Sequence, residues 1–112
     1  MRFGHEFYPF WCDGTSSRGG CGLIVKNSFL QNFNPVVLDR DWIHIVPGHL
    51  AVLRLSGPKG ALHIFSVYLP TGTSGDDSVR QNVIRKLGGH MFHPHQALSV
   101  VCGDFNLSLI HI

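Results

Sequence analysis

The chain has 112 residues, of which 44% are hydrophobic and only 14% charged. That length suits one small domain, and the composition excludes a disordered tail, a collagen-like repeat and a highly charged nucleic-acid arm. The formal net charge of +2 is too small to argue for nucleic acid by itself.

One glutamate, Glu6, stands against eight histidines, which limits where a second carboxylate comes from. Cys12, Cys21 and Cys102 are odd in number and form no CxxC pair, which argues against a zinc ribbon and a disulfide framework. They are expected as buried thiols that pack as small hydrophobes. The start, Met1-Arg2-Phe3-Gly4-His5-Glu6, lacks the apolar core of a signal peptide. The longest apolar stretch, Ala61 to Leu69, is broken by His63 and Ser66 and is too short to span a bilayer. A soluble intracellular chain with no membrane partner is the expectation.

Along the chain, Phe7-Tyr8-Pro9-Phe10-Trp11 predicts a strand or extended segment, weakened by Pro9. Asp13 to Gly20 is loop by composition, and Cys21 to Lys26 is an apolar strand. Asn27-Ser28-Phe29-Leu30 turns the chain, and Val36-Val37-Leu38 predicts another short strand. Asp39-Arg40-Asp41 and Pro47-Gly48 mark turns on either side of Trp42 to Val46. Leu50 to Ser56 places Leu50 and Val52 on one face and Ala51, Leu53 and Leu55 on the other. A segment apolar on both faces except Arg54 suits a strand inside a layered sheet. Gly57-Pro58-Lys59-Gly60 is a tight turn, so Ala61 to Leu69 should pair antiparallel with Ala51 to Leu55.

Pro70 to Gly75 reads as a loop, and Ser74 with Asp77 resembles a capping box. Val79, Val83, Ile84 and Leu87 then form the apolar stripe of a helix that Gly88-Gly89 should stop. His90 to Gln96 is expected as loop, and Leu98 to Cys102 as a buried strand. Several strands, one helix and a final strand make the fold α/β (α+β), with the helix covering a sheet.

The chemistry concentrates after that last strand, at Gly103-Asp104-Phe105-Asn106. Sites in layered α/β proteins lie outside the carboxyl ends of strands. Gly103 allows a sharp exit, Asp104 offers a carboxylate, and Asn106 offers an amide that both donates and accepts. A carboxylate with an amide suits gripping a hydrated Mg²⁺ and an attacking water beside a phosphate. Taken alone, the four residues equally make an Asx turn. Tyr68, at a strand end, offers a phenol that can donate to a phosphate oxygen, or else an aromatic cap on the sheet edge. His90, His93 and His95 with Met91 are either transition-metal ligands or a solvated loop. Arg80, Arg85 and Lys86 either touch phosphates or form an exposed helix face. Arg18, in its Gly-rich loop, is better placed for nucleic acid, although the glycines equally serve a turn.

Three segments occur in order: Arg18-Gly19-Gly20-Cys21-Gly22-Leu23-Ile24-Val25, Val67-Tyr68-Leu69-Pro70 and Gly103-Asp104-Phe105-Asn106. This ordered set resembles the endonuclease/exonuclease/phosphatase family, and within it the apurinic-type endonuclease domain of non-LTR (LINE-like) retrotransposons. The resemblance runs from about Phe7 to Asn106. It implies an incomplete four-layered αββα sandwich over residues 1–106. It also implies that Asp104 activates or positions the nucleophilic water, that Asn106 binds the scissile phosphate, and that Tyr68 lies close to that phosphate. Asn106 and Arg18 are thereby the implied substrate-binding residues. Asp104 is an indirect partner of the implied Mg²⁺ (or Mn²⁺).

The sequence departs from the family at both ends. The family's asparagine motif and Gln-Glu metal motif are not present. Glu6 follows His5 and lies too near Gly20 to match, so it is read as a surface residue. The family's Ser-Asp-His motif is missing too, because His111 lacks the preceding aspartate. His49 stands where relatives often carry an arginine, at the start of a strand. Residues Leu107-Ser108-Leu109-Ile110-His111-Ile112 coincide with the in-frame translation of a transposon-derived sequencing adapter, so 107–112 is expected to be a non-native tail. The alternative is a natural apolar strand.

The resemblance therefore implies a fragment of a Mg²⁺-dependent DNA endonuclease that hydrolyses phosphodiesters, catalytically dead or nearly so in this form. The alternatives are a fragment of a phosphatase, sphingomyelinase or deadenylase of the same family, or a non-catalytic remnant. DNA is the implied partner, and the nucleus the implied location for a retrotransposon protein. A sandwich missing strands should expose an apolar sheet face and edge, and so be poorly soluble.

Overall fold

The computed structural model describes residues 6–13, 20–70, 77–91 and 97–105. In chain order the elements are β1 (Phe7–Asp13), β2 (Gly20–Lys26), α1 (Asn27–Leu30), α2 (Leu38–Asp41), β3 (Trp42–Val46), β4 (Leu50–Gly57), β5 (Gly60–Tyr68), α3 (Asp77–Met91) and β6 (Ala97–Asp104). They build a mixed α+β fold with two sheets. One is the antiparallel pair β1-β2, and the other is four-stranded in the order β3-β4-β5-β6.

Strand β4 is the wall shared by two cores. Ala51, Leu53 and Leu55 pack with Phe10, Cys12, Cys21, Val25 and Trp42, between the two sheets. Leu50 and Val52, pointing the other way, pack with Phe65, Val67, Leu69 and Val83, where α3 covers the larger sheet. Successive side chains alternate between faces, so a strand apolar on both is stable only with a layer on each side. Each fully buried Leu contributes about 1.5–3 kcal/mol of transfer free energy. Arg54 is exposed and paired in register with His63, which keeps the one charge of β4 out of both cores.

The antiparallel pairing of β4 with β5 places Ala51 opposite Ser66 and Leu55 opposite Leu62, as the tight turn at Gly57-Gly60 requires. Strand β6 then joins β5 in parallel, from Ala61↔Ala97 to Tyr68↔Asp104. A parallel neighbour needs a crossover connection, and α3 lies within it. Ser66, the one buried polar side chain among the described residues, donates from Oγ to the carbonyl of Gly22 at 2.8 Å and so ties the sheets together.

Pro9 sits in β1 opposite Ile24. A two-stranded sheet has only edge strands, and an edge tolerates a residue with no N–H to give. Across the same pair, the Trp11 ring lies over Gly22. A Cβ on Gly22 would come within 2.6 Å of Trp11 Cε3 and 2.5 Å of the Phe10 carbonyl oxygen.

Four sequence expectations are corrected. Val36-Val37-Leu38 is not a strand, and the chain instead winds into the single turn of α2. The Val37 N–H is taken by Asp41 Oδ2 at 2.9 Å, while Arg40 grips the same carboxylate through Nε at 2.8 Å and Nη2 at 2.9 Å. A backbone donor used locally cannot join a ladder. Asn27 to Leu30 forms a one-turn helix, with Gln31 N–H donating to the Asn27 carbonyl at 3.1 Å.

Gly88-Gly89 does not stop α3, which runs on to Met91 and brings His90 edge-on to the buried Phe65 ring. Packing of Leu87 and His90 on the sheet outweighs the weak helix preference of glycine. Of the expected loops, Asp13 and Gly20 belong to strands and His90 and Met91 to α3, while 14–19, 71–75 and 92–96, with the cap at Ser74, lie outside the described residues, as does 107–112.

The fourth correction concerns the thiols. All three are free, and Cys12 and Cys21 are buried, but Cys102 is exposed. Strand β2 packs on β4 and β5, so the small sheet does not extend over β6. Leu98, 68% exposed, and Val100, 43% exposed, share the Cys102 face of that strand. Burial, reinforced by the neighbouring Cys12 thiol, pushes Cys21 up to about 12. The unfolded chain loses that proton first, so the stability tied to the neutral thiol is complete below the ordinary thiol range. It is lost as pH rises toward about 12. Iodoacetamide at about pH 8.5, the ordinary thiol pKa, should label Cys102 well before the other two. Peptide mass mapping that finds Cys21 labelled as fast as Cys102 overturns this.

Candidate functional site

Three segments singled out in the sequence meet at one end of the two sheets. Because β5 and β6 are parallel, they finish together, and Tyr68↔Asp104 is their last pair. The Leu69 N–H donates to the Asp104 carbonyl at 2.8 Å and holds the two exits in step. Tyr68 is half-buried against the inter-sheet core, and Asp104 is exposed. The carboxylate therefore reaches solvent, while the phenol stands on a packed floor.

The Gly-rich segment arrives through its described end. Gly20 N–H donates to the Gly48 carbonyl at 2.9 Å, in the turn between β3 and β4. Gly48, at φ +78°, takes a conformation that glycine adopts without strain. Its own N–H donates to Cys12 Sγ at 3.2 Å, which anchors the turn on the small sheet.

The next residue is His49, which stands immediately before the start of β4. It is bound to Tyr68 three ways. Its carbonyl accepts the Tyr68 N–H at 2.8 Å, its Nδ1 lies 3.0 Å from the Tyr68 carbonyl oxygen, and its ring stacks on the phenol at 5.7 Å with 8° between planes. The signal was in the register: with Leu50 opposite Val67, the preceding residue falls opposite Tyr68.

Arg80 is neither a free phosphate ligand nor an idle surface residue. It is half-buried, and its Nη1 donates to the Pro70 carbonyl at 3.2 Å and the Phe105 carbonyl at 3.4 Å. One guanidinium thus spans the backbones that leave β5 and β6. Arg85, exposed, donates to Asn82 Oδ1 at 2.8 Å, and Lys86 is exposed on the same helix. Glu6 is exposed at the far end of the small sheet, where its carbonyl accepts the Asn27 N–H at 2.7 Å. Asn106, Arg18, His93, His95 and His111 lie outside the described residues.

Among the described residues no group of three His, Cys, Asp or Glu is arranged to hold a metal ion. This does not conflict with Mg²⁺, which keeps most of its waters and takes one or two carboxylates, so an exposed Asp104 fits as one partner, directly or through water. Among the described residues no helix is long and apolar enough to cross a membrane. Compared with protein-family models, curated proteins and solved structures, the chain matches none.

Proposed function

We propose that this chain carries part of the phosphodiester-cleaving site of a metal-dependent DNA endonuclease of the endonuclease/exonuclease/phosphatase type, nearest the retrotransposon branch. The observation that supports the reading is the parallel pair Tyr68↔Asp104. Two segments 36 positions apart end side by side, so a phenol and a carboxylate share one strand-end rim with the turn that bears His49.

In this reading Tyr68 donates to a phosphate oxygen, with its ring held by His49 and the core. Asp104 orients a water for in-line attack and accepts its proton as the new P–O bond forms and the bond to the leaving sugar oxygen breaks, and Asn106, two residues on, grips the phosphate. Mg²⁺ or Mn²⁺ beside Asp104 supplies charge neutralisation on the phosphate when bound. Duplex DNA is the partner, and the nucleus the place of action. A four-layered sandwich is the proposed architecture, of which the small sheet, the large sheet and α3 are three layers.

Neither the family's Gln-Glu motif nor its Ser-Asp-His motif occurs in the sequence. Plasmid nicking by this chain with Mg²⁺ should therefore be negligible. Titration of the isotopically labelled chain with a short DNA duplex should shift the resonances of Tyr68, Asp104 and Asn106 before any others. Shifts confined to another face, or robust nicking unchanged by Asp104→Ala, overturn the assignment.

A further inference from the structure

We infer that His49 is the residue that positions Tyr68 and that its other ring nitrogen, Nε2, is a proton-controlled contact for a phosphodiester oxygen, a role that rests on the nuclease reading above. The argument begins with the acceptor. The atom 3.0 Å from His49 Nδ1 is a backbone carbonyl oxygen, which only accepts. Nδ1 must therefore carry the hydrogen. The neutral ring then has its lone pair on Nε2, and any further proton goes there.

A histidine free in water has no such constraint. Here the ladder end, the Nδ1–H bond and the face-to-face stack over Tyr68 together determine the tautomer and the ring plane. A side chain held at both its backbone and its ring loses little further freedom when it binds, which is the advantage of preorganisation.

Charge then assigns the role. At this rim Asp104 is negative and repels a phosphate. The groups on the elements packed around His49 are Tyr68 on β5, Asp104 beyond it on β6, Cys12, Cys21 and Asp13 on the small sheet, the last opposite the Gly20 that bonds to Gly48, and Arg80 on α3 at the strand exits. Arg80 already divides its donors between two carbonyls, and Cys12 and Cys21 are buried. Protonation of His49 on Nε2 adds a positive donor stacked on the phenol that faces the substrate.

The experiment uses the full chain and dimethyl phosphate, a phosphodiester monoanion whose own charge stays constant across the histidine range. Long-range nitrogen–proton NMR on the free chain should show His49 with its neutral proton on Nδ1. Addition of dimethyl phosphate should shift Nε2 rather than Nδ1, and binding should weaken as pH rises and the imidazolium is lost.

His49→Asn keeps an N–H able to reach the Tyr68 carbonyl but cannot titrate. It should move the Tyr68 ring resonances, because the stack is lost, but leave the Tyr68 backbone resonances close to their places, weaken dimethyl phosphate at least about tenfold at acid pH and abolish the pH dependence. His49→Phe keeps only the stack and should also move Tyr68. A neutral proton on Nε2, or unchanged binding in a folded His49→Asn chain, overturns the inference. If Tyr68 still responds to dimethyl phosphate while Nε2 is silent, His49 loses its role and the nuclease reading stands. If neither Tyr68 nor Asp104 responds, that reading falls as well.

Discussion

Replacing Gly103 with alanine should destabilise the protein by about 3 kcal/mol, combining backbone strain with a steric clash. Gly103 has φ +144°, and an added Cβ would collide with the Val67 carbonyl oxygen and lie 2.8 Å from both Val67 N and C. These are backbone atoms of the paired strand, so no side chain can rotate away. The pair Val67↔Gly103 immediately precedes Tyr68↔Asp104. Relief by separation would thus pull the two site residues apart. For a chain of this size the loss corresponds to a melting temperature lower by roughly 10–15 °C.

Gly89→Ala is the control. It lies in α3 with nothing within 4 Å of the added Cβ, and should raise stability by about 0.5–1 kcal/mol. Thermal unfolding followed by circular dichroism measures both. Equal melting temperatures for the Gly103→Ala variant and the parent would show that the close approach does not exist.

Phe65→Ala should cost about 3–5 kcal/mol, the range for emptying a core aromatic site. Phe65 is 1% exposed and lies between the large sheet and α3, among Leu50, Val52, Val67, Leu69 and Val83. Its ring also meets His90 edge-on, at 6.5 Å between centroids. The helix docks through few other large side chains, so its last turn, already weakened by Gly88-Gly89, should fray first. Small domains have about 5–15 kcal/mol in total, so the variant should unfold at markedly lower urea. Phe65→Leu keeps most of the volume and should lose far less. A urea midpoint unmoved by Phe65→Ala would mean that α3 does not use this pocket.

Both substitutions act on interactions of unequal legibility. The double-faced burial of β4 was readable, because Leu50 with Val52 and Ala51 with Leu53 and Leu55 alternate without a polar break, and the structure divides them between two cores. The hairpin at Gly57-Gly60 and its antiparallel register were readable for the same kind of local reason. Gly103 was visible only as a glycine. Sequence made it a strand exit, whereas β6 continues through it to Asp104 and needs it for close approach to β5.

Elsewhere local signals lost to tertiary contacts or to side-chain hydrogen bonds. Val36-Val37-Leu38 has strand composition, but Asp41 captures the Val37 N–H. Gly88-Gly89 has the character of a helix stop, but packing carries α3 to Met91. Cys102 has the composition of a buried position, but the small sheet covers β4 and β5 and leaves β6 exposed.

What the sequence by itself determined is the place along the chain of the six observed strands and the long helix, the two-sided wall at β4, and the polar residues that end the last two long strands. These follow from period and turn chemistry, which act over a few residues. Only the tertiary structure decided that β6 runs parallel to β5, and hence that Asp104 ends beside Tyr68. Only it set His49 on the Tyr68 ring and Arg80 across the two strand exits. Those contacts join residues between 10 and 36 positions apart. They depend on pairing and packing between distant segments, which no local pattern encodes.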